Sequence, residues 1–516
     1  MACLRIKVNN TWQDIRSDEG TPAIDIIRGE LGLMATKEGC REGDCGACAV
    51  LIGEYAAGQL RYLAVPSCLL ALGELKGKHL ITLEGLIEGT SGGLTPVMRA
   101  FLDENASQCG FCTPGFIIAL TSWLAEPRLL DLAGALRAID GNLCRCTGYA
   151  AIRRAVRRLI EQFKDLPLEP EARLNALVNA QVLPPSVREF ADEASTQVLL
   201  NSNNDKENPE LTPKQRMTSP GFVILGGGTD YYVKNPEPND GFSPFLIRMR
   251  PEFKEINYLD ENGQRWLEIG AAVTVREFFA SELIRQEVPG IEQFETMFAS
   301  TLIRNLATIG GNIVNASPVA DITAMLLALN ASIVIASQIQ EGFDLSLTRT
   351  CKLEEFFLGY KTIDLKPTEV IKAIRIPSCN DPTARKFSFE KASKRKNLDI
   401  AAVNTAISFR IEEQRFKDVH ISLGGVAPTP TVNKAAMELL EGSSCPVSDG
   451  KIMAELAKRV ASSAEASVRP ISDVRGSEEY WRRLVYRLML AHYVCIFVGS
   501  GVAEGLYPWT IEIYLS

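Results

Sequence analysis

Cys40-Arg-Glu-Gly-Asp-Cys45-Gly-Ala-Cys48, answered by Cys68 twenty residues later, decides how this chain folds. Three thiols at C-x4-C-x2-C spacing with a fourth downstream form the plant-type arrangement for a [2Fe–2S] cluster. Two irons need four thiolates, and one short loop can wrap three of them around the cluster. Gly43 and Gly46 let the loop take positive φ and turn N–H groups toward sulfur, which stabilises reduced iron. Structural zinc is the competing reading. Zinc sites usually pair C-x2-C with a second such pair or with His, so the four-residue gap and the lone fourth cysteine fit it poorly.

Outward from this loop, residues 2–8 alternate apolar and polar and end at the turn signal Asn9-Asn10. Thr21 and Pro22 predict the N-cap and first position of a short helix. Residues 49–52, 60–65 and 80–83 read as strands. One helix, short strands and a cysteine loop predict a β-grasp, ferredoxin-like domain over 1–87.

Residues 88–165 change to helical period. Segments from Thr95, Pro114, Leu130 and Tyr149 predict a four-helix bundle, whose joints carry Cys109-Gly-Phe-Cys112 and Cys144-Arg-Cys146. This C-x2-C … C-x-C set can enclose a second [2Fe–2S] cluster, with helix N-termini directed at an anionic group. Zinc and redox-active dithiols remain open on spacing alone.

Residues 166–214 are proline-rich and charged and read as a partly disordered linker, with the insertion-like stretch 195–219 unplaced. From 215 to 383 the chain reads as α/β. The apolar run Phe222–Leu225 leads into Gly226-Gly-Gly-Thr-Asp230, and Ala307-Thr-Ile-Gly-Gly-Asn312 follows some eighty residues later. Two such loops suggest a diphosphate held by backbone N–H groups. Neither is G-x-G-x-x-G and no P-loop Lys follows, so Gly-Gly-Gly-Thr-Asp alone is more often just a turn. Strands then helices over 384–495 predict an α+β domain, and the tail 496–516 carries no assigned role.

Composition sets outer limits. The 516 residues suffice for three or four domains of ~100–200 residues each. A net charge of −8 gives no reason to expect nucleic acid or an acidic membrane as partner. The N-terminus reads directly into a strand without an export signal, which predicts a cytoplasmic chain. The apolar stretch from Leu484 carries Arg487 and His492 and reads as a core helix, not a membrane span. Of 13 cysteines eight fall in the two clusters, as expected for metal in a reducing compartment. Cys3, Cys351, Cys379, Cys445 and Cys495 read as small buried hydrophobes.

Four motifs together resemble the molybdenum hydroxylase family, in the form of the small iron–sulfur/FAD subunit of bacterial xanthine dehydrogenase. They are Gly43–Cys48, Gln108–Gly115, Gly141–Tyr149 and Thr308–Asn312, and the resemblance runs from residue 3 to about 495. It implies a multidomain α+β protein: a β-grasp ferredoxin-like domain, a four-helix [2Fe–2S] bundle, a two-part α/β FAD-binding domain and a C-terminal α+β flavoprotein domain. It implies two [2Fe–2S] clusters on Cys40, Cys45, Cys48, Cys68 and on Cys109, Cys112, Cys144, Cys146. It places FAD against Ile224, Leu225, Gly226, Gly227, Gly228, Thr229, Asp230 and Tyr231. Phe298, Thr308, Ile309, Gly310, Gly311, Asn312, Asp321, Ile371 and Lys391 match further FAD contacts. Gln108 matches a glutamine that touches a molybdenum cofactor held by a separate large subunit. The implied assembly has two small and two large chains.

The residues themselves also have plainer readings: Phe298 as core, Lys391 in a solvated basic run with Lys394, Arg395 and Lys396, Asp321 as a helix cap, and Gln108 as support for the Cys109 loop. The function implied by the resemblance is electron relay. Electrons from purine hydroxylation at molybdenum would pass through both clusters to FAD and on to NAD. The alternatives are the same role in an aldehyde or N-heterocycle hydroxylase, and a stand-alone iron–sulfur flavoprotein carrier.

Overall fold

The computed structural model describes residues 2–201 and 223–497, except 57, 239–240, 340–341, 380, 396 and 447–448. The described residues form two compact units, those within 1–249 together with 300–307, and those within 250–299 together with 308–497.

In the first unit the N-terminal alternation becomes a hairpin, β1 (Ala2–Val8) and β2 (Thr11–Ser17), turning at Asn9 with φ 51°. With β3 (Ala49–Ala56), β4 (Gln59–Pro66) and β5 (His79–Ile81) it makes a sheet of order β2-β1-β5-β3-β4, in which β1 and β5 run parallel. Successive side chains of a strand point to opposite faces. Val50 and Ile52 therefore join a core with Leu4, Ile6 and Ile24, while Leu51 joins Phe116 and Ile117 of the helical bundle. Two local expectations need correcting. Leu83 opens a helix, Leu83–Glu88, instead of ending the strand. Thr21 does not cap: the helix starts at Ala23 with Pro22 before it, and the Thr21 hydroxyl lies 3.2 Å from that of Ser17.

The four expected bundle helices are Pro96–Asp103, Thr113–Ala125, Leu132–Ala138 and Ala150–Phe163. Thr95 caps the first by accepting from Met98 N–H at 3.3 Å. The Thr113–Ala125 helix is buried from Pro114 to Ala125.

The expected linker from 166 is corrected over its first part, which folds as helices Pro170–Asn179 and Ser186–Asn201. Residues 202–214 of that stretch, and the later part of 195–219 up to 219, lie outside the described residues. The charged, proline-rich composition masked apolar positions, for Leu174, Leu177, Val182, Leu183, Val187 and Phe190 are all buried in the bundle core. Buried Arg173 donates from Nε to the Leu124 carbonyl at 2.6 Å and so satisfies the C-terminal end of the Thr113–Ala125 helix. Phe190 lies against the rings of His79 and Trp12, 5.2 and 6.2 Å between centroids. Lys7 and the Trp12 indole both donate to Glu193 Oε2, at 3.0 and 2.9 Å. The stretch is a strap over both the bundle and the ferredoxin-like sheet.

The second unit holds two larger antiparallel sheets beside a two-stranded one, Phe357–Gly359 with Thr362–Ile363. One has the order Gly342–Lys352, Ser332–Ile339, Glu369–Pro377, Gln264–Gly270, Ile256–Glu261. The other runs Arg385–Ala392, Val403–Glu412, Arg415–Gly424, Thr431–Val432, with helices Gly450–Ser467 and Glu478–Ile496 closing its core. Every residue of the Asp321–Ala328 helix is buried. Among the described residues no helix is long and apolar enough to cross a membrane. The tail residues 498–516 lie outside the described residues. Of the five isolated cysteines only Cys445 is buried. Cys351 and Cys379 are half-buried, and Cys3 and Cys495 are exposed, so the expectation of five buried hydrophobes is corrected.

Candidate iron–sulfur and flavin sites

The four cysteines of the first set stand in two pairs. Cys48 and Cys68 have Sγ atoms 3.4 Å apart and are buried, and Cys40 and Cys45 are hydrogen-bonded to one another. The Cys45 thiol, helped by backbone N–H groups of Glu42, Cys45 and Asp44, lowers Cys40 to about 5. The same contact, reinforced by burial, raises Cys45. Cys68 lowers Cys48, and is itself raised by Cys48 and by burial. In the thiol form each pair shares protons. In the thiolate form the N–H groups that already point at sulfur would stabilise the charge.

The second set pairs across its two joints. Cys109 and Cys146 Sγ atoms lie 3.5 Å apart, and Cys112 is hydrogen-bonded to Cys144. Burial raises Cys112 to about 12. Burial also pushes Cys144 upward, but the Thr147 hydroxyl at 3.1 Å, with Thr147 and Cys146 N–H groups, outweighs it and lowers the thiol. The Phe111 N–H lowers Cys109. No described group of three or more side chains gathers on a single metal-ion position. Two pairs per set is the donor arrangement that two irons require, one pair to each.

The two sets are joined. Leu143 N–H donates to the Cys45 carbonyl at 3.0 Å, and Asn142 Nδ2 donates to the Gly46 carbonyl at 3.2 Å. Gly46 has φ 65°, and a Cβ there would meet Asn142 Nδ2 and the Gly141 carbonyl at 2.5 Å. A Cβ on Gly115 would run into the Gly46 carbonyl. Around the second set Gln108, Cys109, Phe111, Leu143, Arg145, Cys146 and Tyr149 are all exposed, in contrast to buried Cys48 and Cys68.

The flavin-contact residues expected from sequence divide between the units. In the first, Ile224–Leu225 pairs parallel with Phe245–Leu246 and delivers the chain to Gly226. Gly227 presses on the Leu306 backbone, where any Cβ would collide, and Gly228 takes φ 71°. Thr229 is half-buried and Asp230 exposed, and the Tyr231 ring stacks on Phe242 at 5.0 Å. The loop is a narrow glycine cradle of the kind that brings backbone N–H groups to a phosphate.

In the second unit Thr308 caps the Ile309–Val314 helix by accepting from Gly311 N–H at 3.1 Å. A Cβ on Gly310 would lie 2.8 Å from Ala271. Asn312 Oδ1 accepts from the N–H and hydroxyl of Thr323, at 3.1 and 3.0 Å. Ile371 is buried in the Glu369–Pro377 strand and Phe298 is half-buried. Asp321 makes no cap hydrogen bond, so its plainer reading is corrected. It accepts from Lys391 Nζ at 2.7 Å and from Asn404 Nδ2 at 2.6 Å. Burial raises Asp321 against both partners. The Lys391 side chain is also largely covered, not part of a solvated run. Sequence gave no hint of Asn404, whose side chain looks like any polar strand residue until the helix docks on it.

Family profiles match four consecutive stretches. They are a 2Fe–2S iron–sulfur cluster binding domain over 6–70, a [2Fe–2S] binding domain over 82–157, the FAD binding domain in molybdopterin dehydrogenase over 210–379, and the CO dehydrogenase flavoprotein C-terminal domain over 388–494. The chain is 28% identical to the xanthine dehydrogenase of Drosophila subobscura, over 94% of this chain and 38% of that protein. It is 29% identical to xanthine dehydrogenase 1 of Arabidopsis thaliana, over 80% of this chain and 34% of that protein. The chain thus spans well under half the length of these relatives. Among solved structures, a carbon monoxide dehydrogenase from Hydrogenophaga pseudoflava aligns with a TM-score of 0.46 and 23% identity, covering 54% of this chain and 92% of that one. By the four profiles the architecture is that of a ferredoxin-like domain, a [2Fe–2S] bundle, a FAD-binding domain and a C-terminal flavoprotein domain, similar to the iron–sulfur and flavin part of molybdenum hydroxylases.

Proposed function

We propose that this chain is the electron-transfer subunit of a molybdenum hydroxylase of the xanthine dehydrogenase kind. The observation that carries the reading is the hydrogen-bonded contact of two four-cysteine sites in one unit, Leu143 N–H to Cys45 carbonyl at 3.0 Å. When bound, [2Fe–2S] clusters supply one-electron carriers and FAD supplies exchange between one- and two-electron chemistry.

The chain's own residues position these groups and set their environment. Cys40, Cys45, Cys48 and Cys68 hold one cluster, with N–H groups of the Glu42–Ala47 loop on the sulfurs. Cys109, Cys112, Cys144 and Cys146 hold the other, with Thr147 donating to Cys144. Residues 210–379 bind FAD, with the Gly226–Gly228 cradle as a phosphate-side contact. Exposed Gln108, Phe111 and Leu143 around the second set fit coverage by a partner subunit that carries the molybdenum cofactor. The assembly is two small and two large chains in the cytoplasm. The substrate is xanthine or hypoxanthine and the acceptor is NAD, in line with the relatives' names.

The test has two stages. The purified chain is assayed for iron and flavin, with four irons and one FAD expected. A colourless, zinc-containing protein would sink the reading. The chain is then co-purified with its partner and assayed for NADH formation from xanthine. Clusters and flavin without xanthine turnover would retain the electron-transfer role and refute the substrate.

A further inference from the structure

Residues Ser300–Ala307 lie within the stretch matched by the FAD-binding profile, yet they are built into the unit that carries both cysteine sets. Three loops meet this segment at a glycine. A Cβ on Gly43, between Cys40 and Cys45, would lie 2.6 Å from Ile303 Cδ1. A Cβ on Gly141, just before Cys144, would lie 2.7 Å from the Ser300 side chain. Gly227 abuts the Leu306 carbonyl. Each glycine belongs to a different candidate cofactor loop, so one eight-residue segment registers all three.

A buried ion pair fastens it. Arg304 Nη2 donates to Asp140 Oδ2 at 2.9 Å, and both side chains are at most 2% exposed. Thr301 N–H donates to the other Asp140 oxygen at 2.7 Å, and the Thr301 hydroxyl donates to the Arg137 carbonyl at 2.7 Å. Asn305 Nδ2 donates to the Ala64 carbonyl in β4, at 2.7 Å, on the strand that leads to Cys68. Apolar residues of equal volume would hold the segment without the desolvation cost of two charges. What the ion pair adds is direction, because two carboxylate oxygens accept from two fixed donors.

We propose that the Asp140–Arg304 pair is a positioning device for electron transfer. It locks Ser300–Ala307 onto the loop before Cys144 and thereby fixes the contact between the two cluster loops, Leu143 N–H to Cys45 carbonyl. Asp140 and Arg304 act through Gly141–Leu143. The proposal rests on the reading of the eight cysteines as two clusters.

The test compares Arg304→Met, Asp140→Asn and the double variant Asp140→Asn/Arg304→Met in the full chain, with and without iron. The double variant leaves no stranded charge, so it folds even where a single variant does not. Amide exchange at Leu143 reads its bond to Cys45. Paramagnetic resonance of the reduced chain reads spin–spin broadening between the clusters. In the double variant Leu143 exchange is expected to rise about tenfold, with exchange in the Gly450–Ser467 helix unchanged. The broadening is expected to shrink at full iron content. Wild-type protection of Leu143 and wild-type broadening in the double variant would reduce the pair to a stability element and overturn the proposal. A chain that binds no iron would refute the cluster reading instead, and Leu143 exchange in that iron-free chain would still decide the positioning role.

Discussion

Lys391 Nζ lies 2.7 Å from Asp321 Oδ2 and 2.7 Å from the Met297 carbonyl oxygen, so one ammonium ties the start of the Asp321–Ala328 helix to the residue before Phe298. Both charged side chains are under 10% exposed. The pair links three segments of the second unit that are far apart in sequence, and two of its members were expected from sequence to contact FAD.

Breaking that pair strands a buried carboxylate. Lys391→Met is expected to cost about 3–5 kcal/mol, read as a shift of the denaturant midpoint of the second unit. Asp321→Asn with Lys391→Met together should recover much of the loss. A single variant within experimental error of wild type would show the pair to be dispensable.

Cys146→Ser removes one thiolate from the second set and leaves the first intact. Two irons and one of two paramagnetic signals should disappear from the purified chain. Survival of both signals would disprove the assignment of Cys109, Cys112, Cys144 and Cys146 to one cluster.

Phe190 anchors the strap on the ferredoxin-like sheet and is 2% exposed. Phe190→Ala should destabilise the first unit by about 3–5 kcal/mol, through lost burial and the cavity left beside His79. Limited proteolysis should then cut near 180–193 before it cuts the bundle. Equal protease resistance in variant and wild type would mean that the strap is held elsewhere.

Two histidines make stability fall with acid. His79 bonds the Tyr62 hydroxyl and the Asn9 carbonyl, each at 2.7 Å, and burial lowers it from 6.5 to about 4. Burial lowers His492, between Thr405 and Ser388, to about 3. Above pH 6.5 both rings are neutral folded or unfolded, so the full stability is present. As pH drops below 6.5 the unfolded chain gains protons first, and stability is lost down to pH 4 for His79 and pH 3 for His492. The slope is up to about 1.4 kcal/mol per pH unit for each ring. Urea midpoints at pH 7.5 and 5 test this, and a midpoint that held steady would contradict it.

Much of the architecture was legible in sequence because its signals are local. The β1 alternation, the helical period of Pro96–Asp103 and Ala150–Phe163, and the turn at Asn9 each depend on neighbours within a few residues. The strap was not legible. Its apolar positions sit among prolines and charges, and only docking on Trp12 and His79 turns Phe190 into core. The isolated cysteines misled for the converse reason, since a thiol's burial depends on what covers its strand or helix and not on its own type.

By itself the sequence determined the spacing of the candidate donor sets. The spacings Cys40–Cys45–Cys48 and Cys109–Cys112, Cys144–Cys146 are covalent distances along the chain, and no folding alters them. The tertiary structure alone decided which thiols pair, Cys109 with Cys146 and Cys48 with Cys68. It also decided that Ser300–Ala307 belongs with the cluster loops through Asp140 and Arg304, 164 residues apart. A contact over that separation exists only once both segments are packed and dry, because only then do two charges find each other in place of water.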